Sequence, residues 1–154
     1  MPAAPHVLIV EARYYAHISD ELLKGALAAL EQAGASHERV TVPGAFEIPA
    51  AIKFAVEARA GGAEGACFDG FIALGCVIRG ETTHYDYVCE QSSRGLQDLA
   101  LAHDLPIGFG ILTVENEAQA LARARVGQKN KGGEAARACL AMIALKRHFG
   151  IDRP

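Results

Sequence analysis

Four short strand-type runs, each followed by a segment with helical spacing, constrain this chain more than any other feature. The runs are "HVLIV", ending near Val10, "ERVTV", "FDGFIALGCVI" and "PIGFGILTV". They read as apolar runs rather than period-two alternations, the pattern of a parallel sheet covered on both faces. Between the first two runs, Ile18, Leu22, Ala26, Leu30 and Ala33 recur at helical steps and Gly34 supplies a stop. Pro43 and Gly44 end the second run, and Pro49 suits the first turn of a helix carrying Ile52 and Val56, closed by Gly61 and Gly62. After the third run a long helix is expected from about Thr83 to His103, with Tyr85, Val88, Cys89, Leu96 and Leu99 on its apolar face. Thr113 is placed to cap a short helix, "ENEAQALARA"; a polar break, "RVGQKNKGG", leads to a last helix from Glu134 to about Phe149. The expectation is one α/β domain spanning 1–154, a three-layer αβα sandwich around a four-stranded parallel sheet, with 1–6 as an N-terminal arm.

The 154 residues are enough for one domain with a real core. A net charge of -3 gives no bulk electrostatic drive toward nucleic acid or an anionic membrane, so any phosphate must be held by a local site. Cys67, Cys76, Cys89 and Cys139 form no C-x-x-C pair and read as free thiols of a reducing cytoplasm. The N-terminus has neither a basic region nor a long apolar one, and no run approaches the ~20 residues of a membrane span. His6, His17, His37, His103 and His148 have no companions at metal-ligand spacing, so no metal is expected.

Ligands of open parallel sheets bind beyond the carboxyl ends of the strands. There the chain concentrates its unusual residues: Arg13, Tyr14 and Tyr15 after the first run, "PGAFEIP" after the second, "RGETTH" after the third, and "TVEN", with Phe109 nearby, after the fourth. Loops at the other end, such as "GGAEGAC", are bland. Thr83 with Asp86 resembles a capping box, which starts the long helix at Thr83 and puts His84 in its first turn. The N–H groups of Gly80, Glu81 and Thr82 then face outward with the helix dipole behind them, an arrangement that attracts phosphate. Taken alone, the segment is first a capped helix with a solvated histidine. Phe46 and Glu47 are equally a packed aromatic and a dipole-favoured carboxylate at a helix start. Gly108 and Gly110 read as room for close packing, and Arg123, Arg125, Lys129 and Lys131 as a solvated polar turn or a supply of cations.

Together, "VPGAFEIP", "GCVIRGETTHYDYV" and "KNKGGEAA", in this order and spacing, make the chain resemble the 6,7-dimethyl-8-ribityllumazine synthase family over nearly its whole length. The resemblance implies a flavodoxin-like fold, no cofactor, and pentamers with active sites between adjacent subunits. It implies condensation of 5-amino-6-(D-ribitylamino)uracil with L-3,4-dihydroxy-2-butanone 4-phosphate to the lumazine, phosphate and water. By position, Tyr14 matches the aromatic that stacks on the pyrimidine, and Ala45, Phe46 and Glu47 the loop that holds the ribityl chain. Val77, Ile78 and Arg79 match the strand end beside the pyrimidine. Gly80, Glu81 and Thr82 match the phosphate turn, and His84 the proton-transfer residue. Phe109 matches a wall residue from the neighbouring subunit, and Arg123 the arginine that pairs with the phosphate. Lys131 and Glu134 match polar residues at the site's edge.

Two departures from the family pattern stand out. Glu81 occupies a position often held by a small residue; its carboxylate would repel a phosphate, so it is expected to point away while its N–H binds. Icosahedral members carry "G-x-K-x-G-N-K-G" where this chain has "RVGQKNKG", with Arg125, Gly127 and Lys129 replacing the first glycine, first lysine and second glycine. That favours free pentamers or pentamer pairs over a large shell. The competing readings are an archaeal-type riboflavin synthase and a flavin- or lumazine-binding or shell-forming paralogue with weak catalysis.

Overall fold

In a computed structural model, which describes residues 2–65 and 67–151, the four strands form one parallel sheet in the order β2-β1-β3-β4. The elements are β1 (His6–Ala12), α1 (Ala16–Gln32), β2 (Ser36–Val42), a 3-10 turn (Ala45–Glu47), α2 (Ile48–Ala60) and β3 (Gly70–Ile78). They continue with α3 (His84–His103), β4 (Ile107–Val114), α4 (Glu117–Ala124) and α5 (Lys131–His148). One core packs α1, α4 and α5 on Val7, Ile9, Ile72, Leu74, Leu112 and Val114. The other packs α2 and α3 on Leu8, Val10, Phe71, Ala73 and Ile111. Alternate strand residues therefore serve opposite layers, which is the three-layer αβα arrangement expected. Each fully buried Ile or Leu, such as Ile9, Leu22 or Ile72, contributes about 1.5–3 kcal/mol.

Glycines set how closely the layers approach. A Cβ on Gly132 would lie 2.7 Å from the Leu22 carbonyl carbon, and one on Gly108 would lie 2.8 Å from that of Ala135. The first seats α5 on the middle of α1 and the second seats β4 under α5, so Gly108 and Gly110 are packing glycines as expected. Asn130, at φ 47, caps α5 by accepting from Gly133 N.

Several local expectations need correction. β1 runs through Glu11 to Ala12, because the charge at Glu11 is buried rather than terminating the strand. His6, assigned to the arm, is the first residue of β1, and its N–H donates to Asp69 at 2.8 Å. β2 is an edge strand exposed along nearly its whole length, so the sheet is not covered on both faces there. The capping box is not formed: Thr83 has helical dihedrals and its side chain accepts nothing from the helix. Asn116, not Thr113, caps α4, accepting from Gln119 N at 2.9 Å. α5 starts at Lys131, three residues before Glu134. On α3 only Ser92 and Leu96 are buried; Tyr85, Val88, Cys89 and Leu99 are half-buried.

Candidate active site

From β1 the chain goes outward to β2, and only then crosses to β3 and β4 on the other side. The switch point lies between the carboxyl ends of β1 and β3, where open α/β sheets bind ligands. The 3-10 turn of "PGAFE" closes onto this point. A Cβ built on Gly75 of β3 would stand 3.6–3.8 Å from Ile48, Ala12 and Ala45, so the ends of β1, β3 and the turn converge within van der Waals reach.

Around it sit Tyr14, 76% exposed, on the turn after β1, and Phe46, 56% exposed, on the 3-10 turn. Two large aromatics this accessible at a strand edge are surfaces for a flat ring. Tyr14 touches Tyr15 edge-on, with centroids 4.9 Å apart. Ala45, which precedes Phe46, is buried and anchors the turn. Glu47 N donates to Gly44 O at 3.1 Å, and its exposed carboxylate has no hydrogen bond or ion pair among the described residues. A carboxylate oriented by a turn and left unpaired is an acceptor for hydroxyl groups.

Val77 and Ile78 end β3 half-buried, and Arg79 N continues the ladder to Val114 O at 2.9 Å. The Arg79 guanidinium is already engaged. It pairs with Glu115 at 2.9 Å and Asp86 at 3.3 Å, and lies 4.3 Å from the Tyr85 ring centroid. It ties the start of α3 to the β4–α4 turn rather than standing free. Burial pushes the Tyr85 hydroxyl above its ordinary range, so the ring beneath Arg79 stays neutral.

Gly80, Glu81 and Thr82 form an exposed turn before α3. A Cβ on Gly80 would meet nothing within 4 Å, and its φ lies outside the left-handed region. Neither packing nor conformation within this chain requires a glycine here, and its bare backbone leaves room for close approach. The Glu81 carboxylate is exposed and has no partner among the described residues. Thr82 Oγ1 accepts from His84 N at 3.4 Å, and the His84 imidazole, in the first turn of α3, is exposed with no hydrogen bond among the described residues.

The remaining candidates lie apart. Arg123, late in α4, donates to Gln119 O at 3.1 Å and has no carboxylate partner among the described residues. Of the two arginines expected near substrate it is the one with its charge uncompensated. Lys131 and Glu134 pair with each other at 3.0 Å at the start of α5. Phe109 is the third residue of β4, paired in register with Ala73, five residues or about 16 Å short of the strand's carboxyl end. It is 51% exposed and lines a groove of about 830 Å³ with Leu101, Met142, Leu145, Phe149 and Ile151. The rim of its own chain does not include it, contrary to its expected place near the fourth strand's end.

A sequence model of the 6,7-dimethyl-8-ribityllumazine synthase family matches residues 4–147. The 6,7-dimethyl-8-ribityllumazine synthase of Bartonella bacilliformis is 57% identical over 149 residues, 97% of this chain and 95% of that protein. Its namesake in Azorhizobium caulinodans is 61% identical over 141 residues, 92% and 86% of the two chains, and that of Sphingopyxis alaskensis 58% identical over 146 residues, 95% and 98%.

The chain belongs to the 6,7-dimethyl-8-ribityllumazine synthase family. Within this lumazine synthase fold, sequence reasoning missed Glu11, Asp86 and Glu115 as the residues that fix the two arginines at the rim. Glu11 had a signal: a lone acid closing an apolar run, two residues before an arginine. Its carboxylate is 1% exposed. The hydrogen bond from Arg13 to Glu11, 2.5 Å long, raises the Arg13 pKa further above its ordinary range, against the effect of burial. Among the described residues no helix is long and apolar enough to cross a membrane, and no group of three acids, histidines or cysteines is placed to hold a metal.

Proposed function

We propose that the protein is a lumazine synthase of riboflavin biosynthesis. It condenses 5-amino-6-(D-ribitylamino)uracil with L-3,4-dihydroxy-2-butanone 4-phosphate. The carrying observation, in a chain of this family, is the convergence of Tyr14, "AFE", "RGET" and His84 at the β1/β3 switch point, with Glu47 and His84 unpaired and Gly80 unneeded by the fold. Tyr14 stacks on the pyrimidine, Phe46 walls it, and Glu47 accepts from ribityl hydroxyls. Val77, Ile78 and Arg79 border the ring. Gly80, Glu81 and Thr82 offer N–H groups to the phosphate, with the Glu81 carboxylate turned to solvent, and Arg123 supplies the cation. Lys131 and Glu134 lie at the edge.

The 5-amino group attacks the ketone and loses water to give an imine. Loss of the proton on C3 expels phosphate from C4, two carbons from the imine; the enol so formed becomes a ketone at C3, and the ribitylamino nitrogen closes the ring there with loss of a second water. The sequence involves no net oxidation, so no redox cofactor is called for. Each step moves protons near neutral pH. A positioned acid–base is worth about 10²–10⁴ in rate, and in this reading His84 serves as one. Orienting two substrates together supplies much of the rest.

The exposed apolar groove with Phe109, and the open β2 edge, support a homo-oligomer. In this reading the oligomer is a cytoplasmic pentamer in which Phe109 completes the site of the adjacent subunit. The "RVGQKNKG" segment favours pentamers or their pairs over a shell, which sedimentation decides. The activity test is direct: both substrates with the purified protein yield lumazine absorbance and one phosphate per lumazine. No lumazine at saturating substrates contradicts the proposal.

A further inference from the structure

Glu11 is a buried acid at the ligand edge of the central strand, and nothing in the proposed chemistry uses it. In β1 it is register-paired with Thr41 on one side and Leu74 on the other. Alternation along the strand turns it to the same face as Val7 and Ile9, under α1. Oε1 accepts from Arg13 Nη1 at 2.5 Å. Oε2 lies 3.0 Å from Arg39 Nε, an ion pair without the alignment of a hydrogen bond, and this oxygen is buried with no aligned donor. Arg13 uses its other terminal nitrogen on Asp20, in the first turns of α1. The four charges form one chain, Arg39–Glu11–Arg13–Asp20, running from β2 across β1 to α1.

The middle of that chain brackets a three-residue turn, Arg13 to Tyr15, which carries Tyr14. The turn is tied by Ser19 Oγ to Ala12 O at 3.4 Å and by Tyr15 O, which accepts from Ile18 N and Ser19 N. α1 has no side-chain N-cap to fix its start. Among the described residues the Tyr14 ring has an aromatic contact only with Tyr15, and it is largely exposed, so its direction is inherited from this backbone. A buried carboxylate that holds one terminal nitrogen of Arg13 while Asp20 holds the other removes the turn's freedom before substrate arrives.

We propose that Glu11 is a positioning residue for the pyrimidine: through Arg13 it holds the β1–α1 turn so that Tyr14 presents its face to the ring. This rests on the reading of Tyr14 as the stacking residue. The test is a double-mutant cycle on the dissociation constant of 5-amino-6-(D-ribitylamino)uracil alone, by calorimetry, with the KM of the phosphate substrate and kcat followed in parallel. Glu11→Gln, which keeps the shape and removes the charge, should weaken uracil binding about five- to tenfold while the phosphate-substrate KM stays within about twofold. In the Tyr14→Ala background the same change should cost less than about twofold, because the residue it acts through is gone. Asp20→Asn, at an exposed position, should weaken uracil binding in the same direction by about two- to threefold and lose that effect without Tyr14. It decides the matter if Glu11→Gln does not fold. Equal losses for both substrates, or losses additive with Tyr14→Ala, overturn the inference and leave the Tyr14 assignment standing. Unchanged uracil binding in Tyr14→Ala itself overturns both.

Discussion

Gly132 is the position where the packing predicts most for the least chemical change. It stands in "KNKGGEAA", a stretch that identifies the family, yet the structure uses it to seat α5 on α1. A methyl group there would lie 2.7 Å from the Leu22 carbonyl carbon and 2.9 Å from its Cα. Both are backbone atoms on the buried face of α1, so no side chain can swing away. Carbon atoms prefer about 3.5–4.0 Å, so the helices must part by roughly 1 Å, and a gap of that size forfeits about a quarter to a half of each dispersion contact along the seam. That seam includes Leu22, Ala26, Ala29, Ala135, Ala136 and Cys139. Overpacking of this kind costs about 3 kcal/mol or more, and the better helix propensity of alanine returns about 1. Gly132→Ala should therefore lose about 2 kcal/mol or more, a fall in Tm of roughly 4–8 °C for a chain of this size. Melts at matched protein concentration measure it. Gly127→Ala is the control: it meets nothing within 4 Å, its φ is outside the left-handed region, and it should stay within about 1 kcal/mol of the parent. A Gly132→Ala protein that melts at or above the parent temperature refutes the reasoning.

Three other outcomes follow from the site and the core. His84→Ala should slow turnover by about a hundredfold, the low end of what a positioned acid–base contributes, and leave activity well above the uncatalysed rate, since orientation of the substrates survives; unchanged steady-state and single-turnover rates remove His84 from the mechanism. Arg123→Ala should raise the KM for the phosphate substrate about tenfold more than that for the uracil, as expected for an arginine with no internal acid to satisfy; equal changes contradict the assignment. Burial pushes the thiols of Cys76 and Cys139 up to about 12, so neither should react with a disulfide reagent at pH 8 in the native protein. Rapid modification of either, mapped by mass spectrometry, contradicts the placement of these side chains in the core.

The layering was legible because β1, β3 and β4 are apolar for most of their length and the helices between them keep helical spacing. What escaped the sequence escaped for identifiable reasons. β2 carries the β-branched Val40, Thr41 and Val42, but its place at the sheet edge depends on which strand β1 pairs with next, a long-range choice. Glu11 looked like a strand end because burial of a charge depends on Arg13 and Arg39, one of them in another strand. The caps were misjudged on residue chemistry alone: Asn116 rather than Thr113 caps α4, and Thr83, at the start of α3, takes helical dihedrals and makes no side-chain cap. At the rim, the aromatics, Glu47, the Gly80 turn and His84 were readable because each directly follows a strand or opens a helix. Phe109 was not, since its side of β4 and its distance from the strand end depend on register with β3.

That displacement of Phe109 bears on the central claim, that a single chain carries only part of the active site and a neighbour supplies the rest. Mixed oligomers test it most directly. One chain carries Glu47→Ala with His84→Ala, defective at its own rim; the other carries Phe109→Ala, defective in what it lends. Each is tagged differently, and oligomers holding both tags are isolated. If the site is shared, random mixing in a ring gives about one site in four with both halves intact, so the mixture should form lumazine clearly faster than the average of the two parents. Activity equal to that average, in oligomers verified to contain both chains, would place the whole site within one subunit and contradict the account.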